Sequence, residues 1–212
     1  MIVAFWRVVG GACVVGVGLF VVYTSLRAIS ESWNNDNFPE ALGVKLELLP
    51  VIFPLHMISG GLALLLVPLT IALRHTPWHK LAGRVAGIDV LIAGLTAIPV
   101  ALEAPVTLLS AAGFTAQGCV WLALVVHGWW NIRHGKAAAH ARAMLLVAAV
   151  TSGAVFFRIY LGLWARFGVH GYFKAFYACD AWAAWGLPLL AMALLTRSTR
   201  TKNRVESKGI SA

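Results

Sequence analysis

Charged side chains are scarce in this sequence, and their scarcity decides its class. Asp, Glu, Lys and Arg make up 12% of the 212 residues, against about 25% in a typical soluble domain. Hydrophobic residues make up 60%, which is more apolar surface than a soluble chain hides from water. The sequence therefore predicts an integral membrane protein and argues against a separate soluble domain.

Signatures of soluble enzymes and of structural zinc or disulfide sites are also missing. The sequence contains no H-E-x-x-H, Walker A, G-x-S-x-G or G-x-G-x-x-G pattern. Its three cysteines, Cys13, Cys119 and Cys179, form no C-x-x-C pair, so no disulfide framework or zinc site is predicted. No catalytic residue can be assigned from these patterns, and enzymatic activity is left open.

Six apolar runs are each long enough to cross a bilayer, which takes about 20 residues of helix. They cover residues 5–29, 50–73, 85–105, 108–132, 143–164 and 176–196. The polar stretch at residues 30–49 is expected to be a loop outside the membrane with one short interfacial helix. Gly83 and Gly87, at G-x-x-x-G spacing, are expected at a helix contact.

The predicted fold is all-α, a polytopic transmembrane helical bundle of about six spans. It occupies residues 1–196 as a single domain, and residues 197–212 are predicted to be a disordered basic cytoplasmic tail.

Positive charge is concentrated at the ends of the apolar runs. The net charge is +9, and most of the 17 Lys and Arg residues lie near the N-terminus, in two basic turns at residues 74–84 and 133–142, and in the tail. By the positive-inside rule these regions face the cytoplasm, so both termini are expected inside. Membrane lipid is the expected partner of this charge, and nucleic acid is not. A homo-oligomer or another membrane partner is left open.

Four ionisable residues lie at similar depths, toward the ends of the spans that are far from the basic turns. We name these residues the intramembrane polar cluster: His56, Glu103, Arg158 and Asp180. A charge inside a bilayer costs about 2.5–3.5 kcal/mol, so each is a candidate functional group. An arginine at this depth needs a carboxylate partner, which predicts a pair with Glu103 or Asp180. The alternative is that both acids lie at loop edges and that Arg158 extends to the membrane surface.

Three further histidines lie near the basic turns, and we name them the basic-end histidines: His79, His127 and His140. Histidine is a common ligand of transition metals and of b-type haem, so these residues are candidate metal or haem ligands. Arg84 and Arg142 lie close in sequence and are candidate partners of the haem carboxylates. The alternative is that the histidines are ordinary interfacial side chains. Since His56 has no second histidine at its depth, at most one b-type haem is expected.

Three short motifs, in this order and between apolar runs, resemble a known family: H-K-L-A-G-R at 79–84, H-A-R-A-M-L at 140–145 and F-F-R-I-Y at 156–160. The family consists of bacterial predicted membrane proteins and is named domain of unknown function 2306. The resemblance covers residues 55–195 and implies a multi-pass protein of the bacterial inner membrane, without an established activity. A second likeness is to transmembrane cytochromes b, through the H-x-x-x-G element that His79 and Gly83 form.

Two hypotheses of function follow. The first is a small transport or accessory membrane protein, in which the intramembrane polar cluster lines a polar route or holds the helices together. The second is a haem- or metal-binding membrane redox protein of cytochrome b type, in which the basic-end histidines are the ligands.

Overall fold

The computed structural model describes residues 2–31 and 40–209, and it describes side chains within residues 15–27, 29–30, 43–169 and 171–197. In this part of the chain all regular structure is helical, which confirms the all-α prediction. The α-helices are α1 (Ile2–Glu31), α2 (Glu40–Leu48), α3 (Ile52–Ala72), α4 (His79–Leu102), α5 (Leu108–Arg133), α6 (Ala137–Phe167) and α7 (Phe173–Gly209), and a short 3-10 turn (His170–Tyr172) precedes α7.

Five of the described helices are long and apolar enough to cross a membrane: α3, α4, α5, α6 and the first part of α7, Phe173–Arg197. Each of them contains most of one predicted apolar run, from the second to the sixth. A polytopic helical membrane protein is therefore confirmed. The first predicted run lies within α1, whose side chains are described only for residues 15–27 and 29–30, so the sixth crossing stays a prediction.

The helices extend beyond the apolar runs that predicted them. α4 begins at His79, before the run at residues 85–105, and α6 extends beyond both ends of the run at residues 143–164. The reason is that hydropathy marks the residues that lie in hydrocarbon, whereas a helix continues into the interface, where Lys, Arg and His side chains reach water.

The helix α7 also continues past residue 196, to Gly209. No break in the backbone therefore marks the predicted boundary between the bundle and the tail. Residues 210–212 lie outside the described residues, and disorder of the tail stays a prediction. In the loop at residues 30–49, α2 supplies the expected short helix, and residues 32–39 lie outside the described residues.

Backbone contacts divide the chain into two units, Met1–Thr96 and Ala97–Ala212, and the division falls within α4. In the first unit α3 packs against α1 and contacts α2. In the second unit α5, α6 and α7 all pack against one another. The prediction of one domain over residues 1–196 stays a prediction.

Two glycines permit close helix packing in the second unit. A Cβ on Gly153 of α6 would lie 2.6 Å from the Trp185 Cβ of α7, and a Cβ on Gly113 of α5 would lie 2.8 Å from the carbonyl oxygen of Ala181. Neither neighbouring atom is the end of a flexible side chain, so these positions require glycine. Small residues of this kind let helices approach closely in lipid, where burial alone does not drive association.

The turns on both sides of α5 determine where it begins and ends. At its start, the Thr107 hydroxyl accepts a hydrogen bond from the Ser110 amide at 3.0 Å, and the Ser110 hydroxyl accepts one from the Thr107 amide at 3.1 Å. This reciprocal capping box satisfies two amides at the start of the helix. After α5, Gly135 adopts φ +72°, a left-handed conformation that other residues adopt only at a cost.

Candidate functional site

His79 is the first residue of α4 and is held against the end of α3. Its Nδ1 atom lies 3.1 Å from the carbonyl oxygen of Thr70. Thr70 lies in the last turn of α3, where carbonyl groups have no amide partner within the helix. A carbonyl oxygen only accepts hydrogen bonds, so Nδ1 carries the proton, and in the neutral ring Nε2 keeps its lone pair. Among the described residues this Nε2 has no hydrogen-bond partner.

His140 has the same arrangement in the first turn of α6. Its Nδ1 lies 3.0 Å from the carbonyl oxygen of Gly128 in α5, which again places the proton on Nδ1 and the lone pair on Nε2. Within the described residues, Nε2 has no hydrogen-bond partner here either. Gly128 lies where α5 meets α6, and a Cβ added to it would contact the end of the Met144 side chain.

His127 differs from the other two basic-end histidines. It precedes Gly128 in α5, so it lies at the level of His140 within the second unit. Its side chain is exposed, whereas those of His79 and His140 are half-buried. Its ring makes no hydrogen bond within the described residues, so nothing there fixes its orientation or its tautomer.

Arg84 lies near His79 in the sequence, and Arg142 lies near His140. Each arginine is on a different face of its helix from the histidine. At about 100° per residue, Arg84 lies about 140° around α4 from His79, and Arg142 lies about 160° around α6 from His140. Neither guanidinium has a hydrogen bond or an ion pair within the described residues. They are therefore available to anions, but each histidine and its arginine do not share a helix face.

Among the described residues, no three His, Cys, Asp or Glu side chains are grouped so that they could hold a metal ion. A metal site that needs three such ligands from this part of the chain therefore lacks support. Haem iron takes at most two axial ligands from the protein, and the use of the basic-end histidines for haem stays a prediction.

The members of the intramembrane polar cluster have different environments. In the first unit, the Nδ1 of His56 lies 3.1 Å from the Ala93 carbonyl oxygen and 3.3 Å from the Thr96 hydroxyl. In the second unit, the Nη1 of Arg158 donates to the Ala154 carbonyl at 2.8 Å. Glu103 is half-buried just after the end of α4.

Asp180 is 3% exposed, and neither of its carboxyl oxygens has a hydrogen-bond partner in the described part of the chain. Asp180 therefore accepts no hydrogen bond from Arg158. The sequence analysis named two candidate partners for Arg158, and Glu103 is the candidate that remains. The pair of Arg158 with Glu103 stays a prediction.

A second carboxyl group, in the first half of the apolar run at residues 85–105, is also buried. Asp89 of α4 is 8% exposed, and its Oδ2 atom has no hydrogen-bond partner within the described residues.

Comparisons with known proteins give one match. No curated protein and no solved structure matches the chain, so the likeness to transmembrane cytochromes b receives no support. A family model described as predicted membrane protein (DUF2306) matches residues 53–196, which is more than half of the chain. The match includes all three of the motifs that suggested this family. The chain therefore belongs to the DUF2306 family of predicted membrane proteins.

Proposed function

We propose that this chain is a membrane redox protein that binds b-type haem, and that the Nε2 atoms of His79 and His140 each offer a haem ligand within their own unit. One observation carries the proposal, namely that two histidines in different units have the same arrangement. Each lies in the first turn of a helix that follows a basic turn, and each ring donates its Nδ1 proton to a backbone carbonyl of the preceding helix.

This arrangement suits a metal ligand for a physical reason. A ligating histidine usually donates its second ring N–H to a carbonyl or carboxylate, which fixes the tautomer, holds the ring orientation and makes the ligating nitrogen more basic. His79 and His140 both have that second hydrogen bond, and each keeps an Nε2 lone pair. When bound, haem would supply one-electron transfer between its ferric and ferrous states.

The competing explanation is that each histidine only joins two helices. A hydrogen bond of this kind contributes about 0.5–1.5 kcal/mol to stability, which is enough to select a histidine without any ligand. The two explanations differ in one measurable property, because bound haem absorbs visible light and a chain without a cofactor does not.

The test is the absorption spectrum of the full chain, expressed in cells that are supplied with haem and purified in detergent. We expect a Soret band and a difference between the oxidised and reduced spectra. His134→Ala is the matched control, because the Nδ1 of His134 also lies 2.7 Å from a carbonyl, that of Trp130, but its side chain is exposed. It should keep the spectrum, as should His127→Ala.

A wild-type protein that stays colourless, including after titration with haemin, would overturn the haem proposal. Loss of the Soret band in His134→Ala or His127→Ala would show that the ligands are wrongly assigned. The iron and haem content per chain, measured on the same sample, gives the number of haems bound.

The other function that the sequence predicts, transport or an accessory role, has a different observation in its favour. Asp89 and Asp180 are carboxyl groups that lie within candidate spans and have at least one oxygen without a partner in the described residues. Intramembrane acids often belong to proton or ion routes. A colourless protein with an essential acid in its spans would favour this second function.

A further inference from the structure

We propose that Asp180 is a proton-binding site inside the second unit, and that it takes up and releases a proton in the membrane independently of any haem. The proposal rests on its depth, on the absence of hydrogen-bond partners in the described residues and on the packing and chemistry of its surroundings.

Asp180 lies well inside the apolar part of α7. It is seven residues beyond Phe173, the first residue of the candidate span, which corresponds to about 10 Å along the helix. Its face of α7 is the packed one, because Ala181, Ala184 and Trp185 are also buried. The carboxyl group therefore points into protein and not into lipid or water.

A salt bridge inside the protein would be the ordinary reason to bury this group. Asp180 has no ion pair with the described residues, and neither of its carboxyl oxygens accepts a hydrogen bond from them. Native proteins rarely leave a buried polar atom without a partner, and a side chain with two such atoms needs an explanation. A charged carboxylate in an apolar environment needs a bound cation.

Aromatic rings from all three helices of the second unit pack together next to Asp180 in the sequence of α7. Three aromatic rings, one from each helix of the unit, pack edge to face one helical turn from Asp180. Their centroids are 5.2 Å apart for Phe114 and Phe157, 5.9 Å for Phe114 and Tyr177, and 5.4 Å for Phe157 and Tyr177. On the other side, Gly113 brings the backbone of α5 against Ala181.

The surrounding chemistry favours a proton over a metal ion. Calcium and magnesium need about six or more oxygen ligands, and no three His, Cys, Asp or Glu side chains of the described residues are grouped for a metal. The titratable or charged groups near this level are Tyr177 on α7 itself and Arg158, which follows Phe157 on α6. The polar residues of α5 around Gly113 are the uncharged Ser110, Thr115 and Gln117, and the buried Thr115 hydroxyl has no hydrogen-bond partner in the described residues. A proton needs no further ligand and fits the site as it stands.

The test uses dicyclohexylcarbodiimide, an apolar reagent that adds to a carboxylic acid. The acid oxygen bonds to the carbodiimide carbon, the acid proton moves to nitrogen, and rearrangement gives a stable N-acylurea without a leaving group. We expect mass spectrometry of the full chain in detergent to find the adduct on Asp180. Labelling should decrease as the pH is raised, and it should be lost from that peptide in Asp180→Asn.

Matched variants keep the test specific. Asp89→Asn should leave labelling at Asp180 unchanged, and Asp180→Asn should leave the haem spectrum unchanged, so failure of one proposal is distinguishable from failure of the other. Infrared difference spectra between low and high pH are a second measurement that needs no reagent access. They should contain a carboxylic acid C=O band that shifts in heavy water and that disappears in Asp180→Asn.

Two results would overturn the proposal. One is an infrared difference spectrum in which no C=O band is lost with Asp180→Asn. The other is labelling of Asp180 that does not change with pH, because a carboxyl group that never exchanges its proton is a structural element and not a binding site.

Discussion

The two hairpins of helices, α3 with the first part of α4 and α5 with α6, agree at their basic turns and differ in their interiors. At each turn a histidine of the second helix donates to a backbone carbonyl of the first, at 3.1 Å in one hairpin and 3.0 Å in the other. The contacts of the two rings are alike although the surrounding residues differ.

Farther from the turns the hairpins differ. In the first unit, the polar group between the helices is His56, whose ring lies within hydrogen-bond distance of the Ala93 carbonyl and the Thr96 hydroxyl. In the second unit, Arg158 donates to the backbone of its own helix and Asp180 is buried without a hydrogen-bond partner in the described residues. The histidine that contacts a carbonyl at each basic turn is common to both hairpins and is the better candidate for a ligand site. The buried Asp180 occurs in the second unit alone and is the candidate for a separate proton site.

The largest expected effect concerns the side of the membrane on which the two basic turns lie. Reporter fusions after Arg84, after Arg142 and at the C-terminus should all report the cytoplasm, and a fusion near Asn35 should report the opposite side, because the positive charge is concentrated in the turns and the tail. The reporter enzyme of each fusion is expected to be either fully active or inactive, according to the side of the membrane on which it lies. If the two turns report opposite sides, the hairpins are not equivalent and the six-span topology fails.

Removal of Arg158 in the second unit should destabilise the protein more than removal of His56 in the first unit. We expect Arg158→Ala to lower the free energy of unfolding in detergent by about 2 kcal/mol, because it leaves the half-buried carboxylate of Glu103 without its predicted cation. His56→Ala in the first unit should cost only about 1 kcal/mol, since it removes hydrogen bonds and strands no charge.

A second substitution identifies the partner of Arg158. Glu103→Gln should recover part of the loss in the Arg158→Ala background, and Asp180→Asn should not, because Asp180 accepts no hydrogen bond from the described residues. Recovery by Asp180→Asn, or equal stability of Arg158→Ala and wild type, would contradict this assignment.

A glycine-to-alanine substitution should destabilise the protein most where two helices of the second unit are in close contact. Gly153→Ala is expected to cost about 2 kcal/mol in thermal or chemical unfolding, because the new Cβ overlaps Trp185. Gly162→Ala on the same helix and Gly60→Ala on α3 are the controls, since a Cβ meets no atom within 4 Å at either position. A Gly153→Ala protein as stable as these controls would mean that α6 and α7 are not packed this closely.

The smallest effect is expected at the turn between α5 and α6. Gly135→Ala should cost about 1 kcal/mol, because φ is +72° at this position. Lys136→Ala, at the next residue, should change the unfolding midpoint by less than half as much. Equal midpoints for the two variants would show that the turn adopts another conformation.

The sequence predicted the helical class, five of the spans and the family, because each depends on long-range apolar composition or on short ordered motifs. It did not predict helix ends such as His79, since a helix continues into the polar interface. The sequence also predicted a helix contact at Gly83 and Gly87 from their spacing. A Cβ added to Gly83 would make only an ordinary contact of 3.6 Å with Thr70. The close contacts are at Gly113 and Gly153, where the rotation of each helix brings glycine against its neighbour.

The direction in which each side chain leaves its helix also limits how much of the candidate site can be predicted from the sequence. Depth along a helix can be counted from the sequence, and it drew attention to His79, His140 and Asp180. Direction around the helix cannot be known without the neighbouring helices. For that reason the sequence treated His127 as equivalent to His140 although it is exposed, and it offered Asp180 as a partner for Arg158.

Haem ligation by His79 and His140 is tested most directly by comparing the oxidised and reduced absorption spectra of His79→Asn and His140→Asn. Asparagine keeps an N–H donor close to the position of Nδ1, so the hydrogen bond to Thr70 or Gly128 can persist, but it has no atom in place of Nε2. We expect both variants to remain folded in detergent, with unfolding midpoints near that of wild type, and both to lose or shift the Soret band. If both keep the wild-type haem spectrum, the two histidines only join helices and the redox proposal is wrong.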